Sequence, residues 1–206
     1  QAVFHLRTAE GTTKSNLTEL LDKLSGAESD TTAGADWRIV LREIDIRNLH
    51  FSYHDANVAP IPFGVDFDHV DVRHANIRAH DLRIDGDSII TVLDSVRLQE
   101  RSGLVVDHLH GNAHVSPVGI HLTGFLLRTP GSAVRGNISL LTESYDDHDD
   151  FERKVLMRGD LDSSTVEFAD IALFAPQLQG LSLPLHIAGQ VRGTLHDLKG
   201  RNLDIR

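Results

Sequence analysis

A short apolar beat that repeatedly slips phase limits what this chain can fold into. Ile44 and Ile46 are followed by Leu49 and Phe51. Val65 and Phe67 are followed by Val70 and Val72, and these by Ala75 and Ile77. Within each pair the spacing is that of a β-strand, whose side chains alternate between two faces. From one pair to the next the step is five residues. In a straight strand that odd step would send the second pair to the opposite face. A bulge or bend absorbs the extra residue and keeps the apolar set on one side. The pattern therefore predicts long strands, bent between 46 and 49, between 67 and 70 and between 72 and 75. One face is apolar and the other polar. On this reading Asp45, Arg47, His50, Asp66, Asp68, Asp71 and Arg73 point to water.

Around this beat the chain reads as nearly all β. Residues 2–7 predict a short strand. One amphipathic helix is expected next: Asn16 caps it with Glu19 closing a capping box, Leu17, Leu20, Leu21 and Leu24 form one stripe, and Gly26 stops it. Residues 27–36 are Ser, Thr, Asp, Gly, Ala and Glu, the composition of a surface linker. Residues 1–36 thus hold strand, helix and linker, and 37–206 a continuous sheet. Candidate strands are 37–54, 63–73, 75–85, 87–98, 103–109, 111–116, 118–128, 133–142, 153–161, 164–169, 182–193 and 200–206. Turn signals such as Asp85-Gly86-Asp87 and Thr129-Pro130-Gly131 separate them and argue for an antiparallel meander. One helix cannot cover the apolar face of such a sheet, so the sheet must curl or hold an apolar ligand. A compact β-sandwich and a parallel solenoid with a five-residue coil are the competing architectures; the beat lasts only about three coils.

The 206 residues carry 30 acidic and 20 basic side chains, a formal net charge of −10, with no basic cluster. That sign disfavours nucleic acid, whose phosphates need a basic face. There is no Cys, hence no disulfide or thiolate metal site. No apolar run reaches the roughly 18 residues of a membrane span. Thirteen histidines include His108, His110 and His114, a spacing that puts two imidazoles on one strand face and a third on its neighbour. A zinc site needs three or four converging ligands. The competing reading makes them outward polar residues, as His69, His74 and His80 do beside the corners of the beat. The acidic run Asp146, Asp147, His148, Asp149, Asp150 lacks the glycine and spaced acids of a calcium loop and reads as solvated surface. No nucleophile elbow, phosphate loop or dinucleotide fingerprint occurs, so no catalytic, cofactor or metal residue is assigned and the expectation is a non-enzyme.

Several segments in order resemble one family. The stretch from Trp37 to Tyr53, the Lys14–Leu17 helix start, Gly64–Phe67, Glu100–Gly103, Thr129–Ser132, and Asp170–Leu198 with Phe174-Ala175-Pro176 and the glycines of 189–193 are similar to TamB-like proteins of the wider AsmA-like group, in the form carried by Bacteroidetes-type bacteria. The resemblance implies an elongated, curved β-sheet, a taco-shaped trough with a hydrophobic interior. It implies an internal segment of a periplasm-spanning protein of a Gram-negative bacterium, with its inner-membrane anchor outside this fragment; both ends read as cut. The implied roles are phospholipid transport between inner and outer membrane and outer-membrane protein assembly. Partners would be phospholipid acyl chains and an outer-membrane assembly protein of the envelope.

The expectation is therefore an all-β, elongated, curved antiparallel sheet with one short N-terminal helix. Its candidate lipid-binding groove is Ile44, Ile46, Leu49, Phe51, Val65, Phe67, Val70, Val72, Ile77, Leu82 and Ile84. The alternation itself fits a sealed core equally well. The alternative function is a structural module that binds proteins by adding a strand at an exposed edge.

Overall fold

A computed structural model describes residues 2–13, 15–16, 38–86, 88–142, 151–194 and 196–206. Ten strands form one sheet in sequence order: β1 (Ala2–Thr8), β2 (Arg38–Asp55), β3 (Asp71–Asp85), β4 (Ser88–Glu100), β5 (Val105–Ser116), β6 (Gly119–Arg128), β7 (Ala133–Leu141), β8 (Leu156–Glu167), β9 (Pro184–Thr194) and β10 (Asp197–Ile205). The sheet is curved and unclosed, with β1 and β10 as its edges. β1 pairs with β2 in parallel; every other neighbour is antiparallel. Beyond the strands, the described residues include a helical turn, α1 (Phe151–Lys154), a short helix α2 (Phe168–Ala172) and a 3₁₀ turn at Pro176–Leu178.

The bends lie where the phase slips. The β2–β3 register shifts between Ile46 and Leu49, and Asn48 between them has φ 52°. The β3–β4 register shifts between Arg73 and Asn76, around His74 at φ 52°. A further left-handed residue, Asp81, sits where Ala79 gives way to Leu82. Asn and Asp tolerate this conformation better than bulkier residues. The bulges leave backbone groups without ladder partners, and asparagines take some of them. Asn76 accepts from the Asn48 N–H at 3.1 Å, and Asn137 from the Gly124 N–H at 2.9 Å.

The third predicted bend, between 67 and 70, is absent because residues 56–70 are not a strand. They form a long connection before β3. Elsewhere two pairs of predicted strands merge. Residues 103–109 and 111–116 become β5 through Gly111; 153–161 and 164–169 become β8 through a bulge between Leu161 and Ser164. At that bulge the buried Ser164 hydroxyl accepts from the Arg135 N–H at 3.1 Å and donates to the Asp162 carbonyl at 2.8 Å.

Later strands use glycine for the same purpose. Phe125, Gly136, Leu161 and Gly189 stand opposite one another across β6 to β9, alternating large and absent side chains. A Cβ on Gly136, at φ 135°, would run into the Asp160 carbonyl, and one on Gly189 into that of Asn202. The bare Gly136 and Gly189 let neighbouring backbone approach there, and the bare Gly111 leaves room for Phe125, which is 5 % exposed.

The expected helix with Leu17, Leu20, Leu21 and Leu24 lies outside the described residues, as does the acidic run at 146–150. Asn16 itself is described. Its amide is bonded to the edge of β1, accepting from the Arg7 N–H at 2.9 Å and donating to the His5 carbonyl at 3.1 Å.

Candidate functional site

Residues paired directly across a sheet share a face, so the register traces the apolar surface strand by strand. One rung joins Ile46, Ile77, Val96, Leu109, Leu127 and Val134 across β2 to β7. Another joins Ile39, Ile84, Ile89, Val115, Ile120, Leu140 and Met157 across β2 to β8, then passes Gly193 to reach Leu198 on β10. The predicted groove residues Ile44, Ile46, Leu49, Phe51, Val72, Ile77, Leu82 and Ile84 lie on β2 and β3. They pair there with apolar partners such as Ala79, Ala75 and Leu41. The rungs of β4 to β10 extend the same surface; the alternation in those segments was the signal for them.

Val65, Phe67 and Val70 are corrections. None lies on a strand, and Phe67 is 47 % exposed. The neighbouring expectation inverts too: Asp66, expected in water, is 5 % exposed, and His69, read as outward, is 3 % exposed. Asp66 escapes the penalty of an unpaired buried charge because it is saturated with donors. Its carboxylate accepts from His69 Nδ1 at 3.0 Å, the Ile61 N–H at 3.1 Å, the Asp68 N–H at 3.2 Å and the Arg101 guanidinium at 3.4 Å. Burial pushes its pKa up. The Ile61 N–H, the His69 ring and the Asp68 N–H outweigh that and hold it below the usual carboxylate value. Sequence periodicity carries no signal for such a loop cluster.

Asp66 anchors one end of a strap along one rim of the sheet. The 61–69 segment lies against Arg101 of the β4–β5 turn. The segment after β8 lies against the β6–β7 turn, where Asp170 accepts from the Thr129 hydroxyl at 2.6 Å and from the Ser132 hydroxyl. The two segments join through the Val65 N–H and the Leu173 carbonyl at 2.8 Å. Thr129, Ser132, Ala172 and Ala175 are all buried here. At the opposite rim Ile39, Leu41, Ile89 and Leu198 remain 43 %, 46 %, 38 % and 46 % exposed.

The histidines do not converge. His108, His110 and His114 all lie on β5, and His114 stacks on His121 of β6 at 5.8 Å rather than joining the other two. His108 Nε2 and His110 Nδ1 are 3.0 Å apart, and burial with the neighbouring His110 pushes the His108 pKa down. Among the described residues no group of three His, Cys, Asp or Glu is placed to hold a metal ion, and no helix is long and apolar enough to cross a membrane. His80 pairs with Asp94 at 3.0 Å, which raises its pKa, and it stays half-exposed on the outer face.

On that outer face Asp45–Arg47 and Asp71–Arg73 pair two residues apart along one strand, at 2.6 and 3.0 Å. Compared with protein-family models, with curated proteins and with solved structures, the chain matches none.

Proposed function

We propose that this chain is a non-enzymatic segment of an envelope protein whose apolar sheet face carries phospholipid acyl chains between membranes. The observation that supports it is the rung from Ile39 to Leu198. It crosses nine strands without a charged residue, yet large members stay about two-fifths exposed. A sealed core buries such residues. An acyl chain asks for area and no hydrogen bond, which is what this rung offers. The resemblance to TamB-like proteins agrees in fold class and adds the periplasmic setting and the outer-membrane assembly role to the proposal.

The test is a photo-crosslinking amino acid placed at Ile89, with Arg83 on the outer face as control, in protein kept in its native envelope. Phospholipid adducts at Ile89 and none at Arg83 are expected; equal labelling, or none at either, sinks the reading. Substituting Val70→Asp separates the sheet from its connections: because Val70 lies outside the strands, lipid labelling at Ile89 should persist.

A second reading, strand addition to a protein partner, is favoured at one edge only. Asn16 already occupies part of the β1 edge, whereas β10 ends the sheet. Pro substitutions along β10 should abolish partner binding and leave lipid labelling intact if that reading holds.

A further inference from the structure

On the outer face one rung carries like charges directly opposite each other. Arg158 of β8 pairs with Arg192 of β9, and Arg192 with Lys199 of β10. Ser139 of β7 stands next in the rung, with its hydroxyl 2.9 Å from His121 Nδ1. Opposed like charges in a ladder are destabilising, because their Cβ atoms stand only about 5 Å apart. Three other arginines of this face, Arg47, Arg73 and Arg206, each bond an aspartate two residues away. Lys199 does the same with Asp197 at 3.1 Å. Among the described residues Arg158 and Arg192 have no such partner. Between them lies a depression of about 310 Å³, lined also by Asn137, Ser139, Asp160 and Gln190.

We infer that this depression is a binding site for a phosphate group carried on a small soluble molecule. Two guanidinium forks from adjacent strands can each present parallel N–H groups to one oxyanion, the geometry that makes arginine the preferred phosphate ligand. Ser139, Asn137 and Gln190 supply neutral donors around it. An anion seated there removes the repulsion between the arginines. A flat anionic membrane fits worse, since Asp160, Asp197 and Asp204 on β8 and β10 would face the same layer. Asp160, one step along β8 from Arg158, opposes the anion and limits its affinity. The site is on the outer face and does not depend on what the apolar face holds.

The test is an NMR titration of the whole chain with inorganic phosphate and with glycerol 3-phosphate at constant ionic strength, beside sedimentation with phosphatidylglycerol vesicles. Saturable shifts confined to residues around 139, 158, 190 and 192 are expected. Arg158→Gln and Arg192→Gln should each weaken binding about tenfold, as for loss of one charge-assisted partner. Arg158→Lys should weaken it less, and Asp160→Asn should strengthen it about threefold. These positions are exposed, so circular dichroism should show all four variants folded. Non-saturating shifts matched by chloride, affinity unchanged in both glutamine variants, or binding to vesicles without binding to either phosphate would overturn the assignment.

Discussion

The two long rims of this sheet are finished in opposite ways. Along one, the connections after β2 and β8 reach over the intervening turns and lock together through Asp66, Arg101, Asp170 and the Val65–Leu173 hydrogen bond. Along the other, apolar residues of the same strands stay open to solvent at Ile39, Leu41, Ile89 and Leu198. The same strands run from one rim to the other, so strand propensity cannot explain the difference. What differs beside Ile89 and Leu198 is the connection, two residues at 86–87 and at 195–196 against fifteen at 56–70. A 15-residue link can bring its own carboxylate, imidazole and backbone donors to a strand end; a two-residue turn cannot.

The largest test of that contrast is to unpair the strap. Asp66→Ala leaves the buried His69 ring and the Ile61 and Asp68 N–H groups without their acceptor, and should cost about 3 kcal/mol in urea unfolding. A loss under about 1 kcal/mol would mean the strap is an appendage. Next comes one chemical change made at two places on the apolar face. Val96→Asp, at a position 8 % exposed, should cost several kcal/mol, on the order of 3. Leu198→Asp, at 46 % exposed, should cost less than about 1 kcal/mol. Similar losses at both would show that the open rim is as sealed as the middle of the sheet.

Gly136→Ala probes the bend that both rims share. It places a methyl group against the Asp160 carbonyl at a φ that L-residues avoid, and should cost about 2 kcal/mol with loss of amide protection in β7 and β8 together. The smallest effect is pH dependence. The pKa of Asp66 is lowered in the folded chain, so its contribution is complete above the unfolded carboxyl value of about 4 and fades as pH falls through the lower folded value. Hydrogen exchange at the Val65 amide should accelerate in that window, while amides at the middle of β5 hold. Uniform acceleration would mean general acid unfolding instead.

Much of this was legible residue by residue. The slips after Ile46 and after Val72 marked real bulges because a bulge has a local signature: an apolar pair, an odd step, another pair, with Asn48 or His74 at the join. The slip after Phe67 had the same signature and meant something else. Val65 and Phe67 belong to the strap, where Asp66 is buried because His69, Ile61, Asp68 and Arg101 surround it. Alternation cannot separate a strand from a loop whose polar residue is satisfied by the loop's own N–H groups and ring, as Ile61, Asp68 and His69 do for Asp66. Nor could it show that His114 meets His121 rather than His108 and His110, which depends on the register between β5 and β6.

By itself the sequence determined the class of structure: alternation, turn residues and misfit steps leave little besides a bent antiparallel sheet, since each is a short-range consequence of side-chain direction. It also set the polarity of the two faces, because buried charge without a partner is too costly to sit in a ladder. Which rim is closed, where Asp66 finds its donors, and that Arg158 and Arg192 face each other across β8 and β9 were decided only by the tertiary structure. The rim closure and the arginine pair are contacts between residues far apart along the chain, set by a register that no local pattern encodes; the Asp66 cluster is mostly local, with Arg101 as its distant member, but it forms only in a loop conformation that side-chain alternation does not reveal.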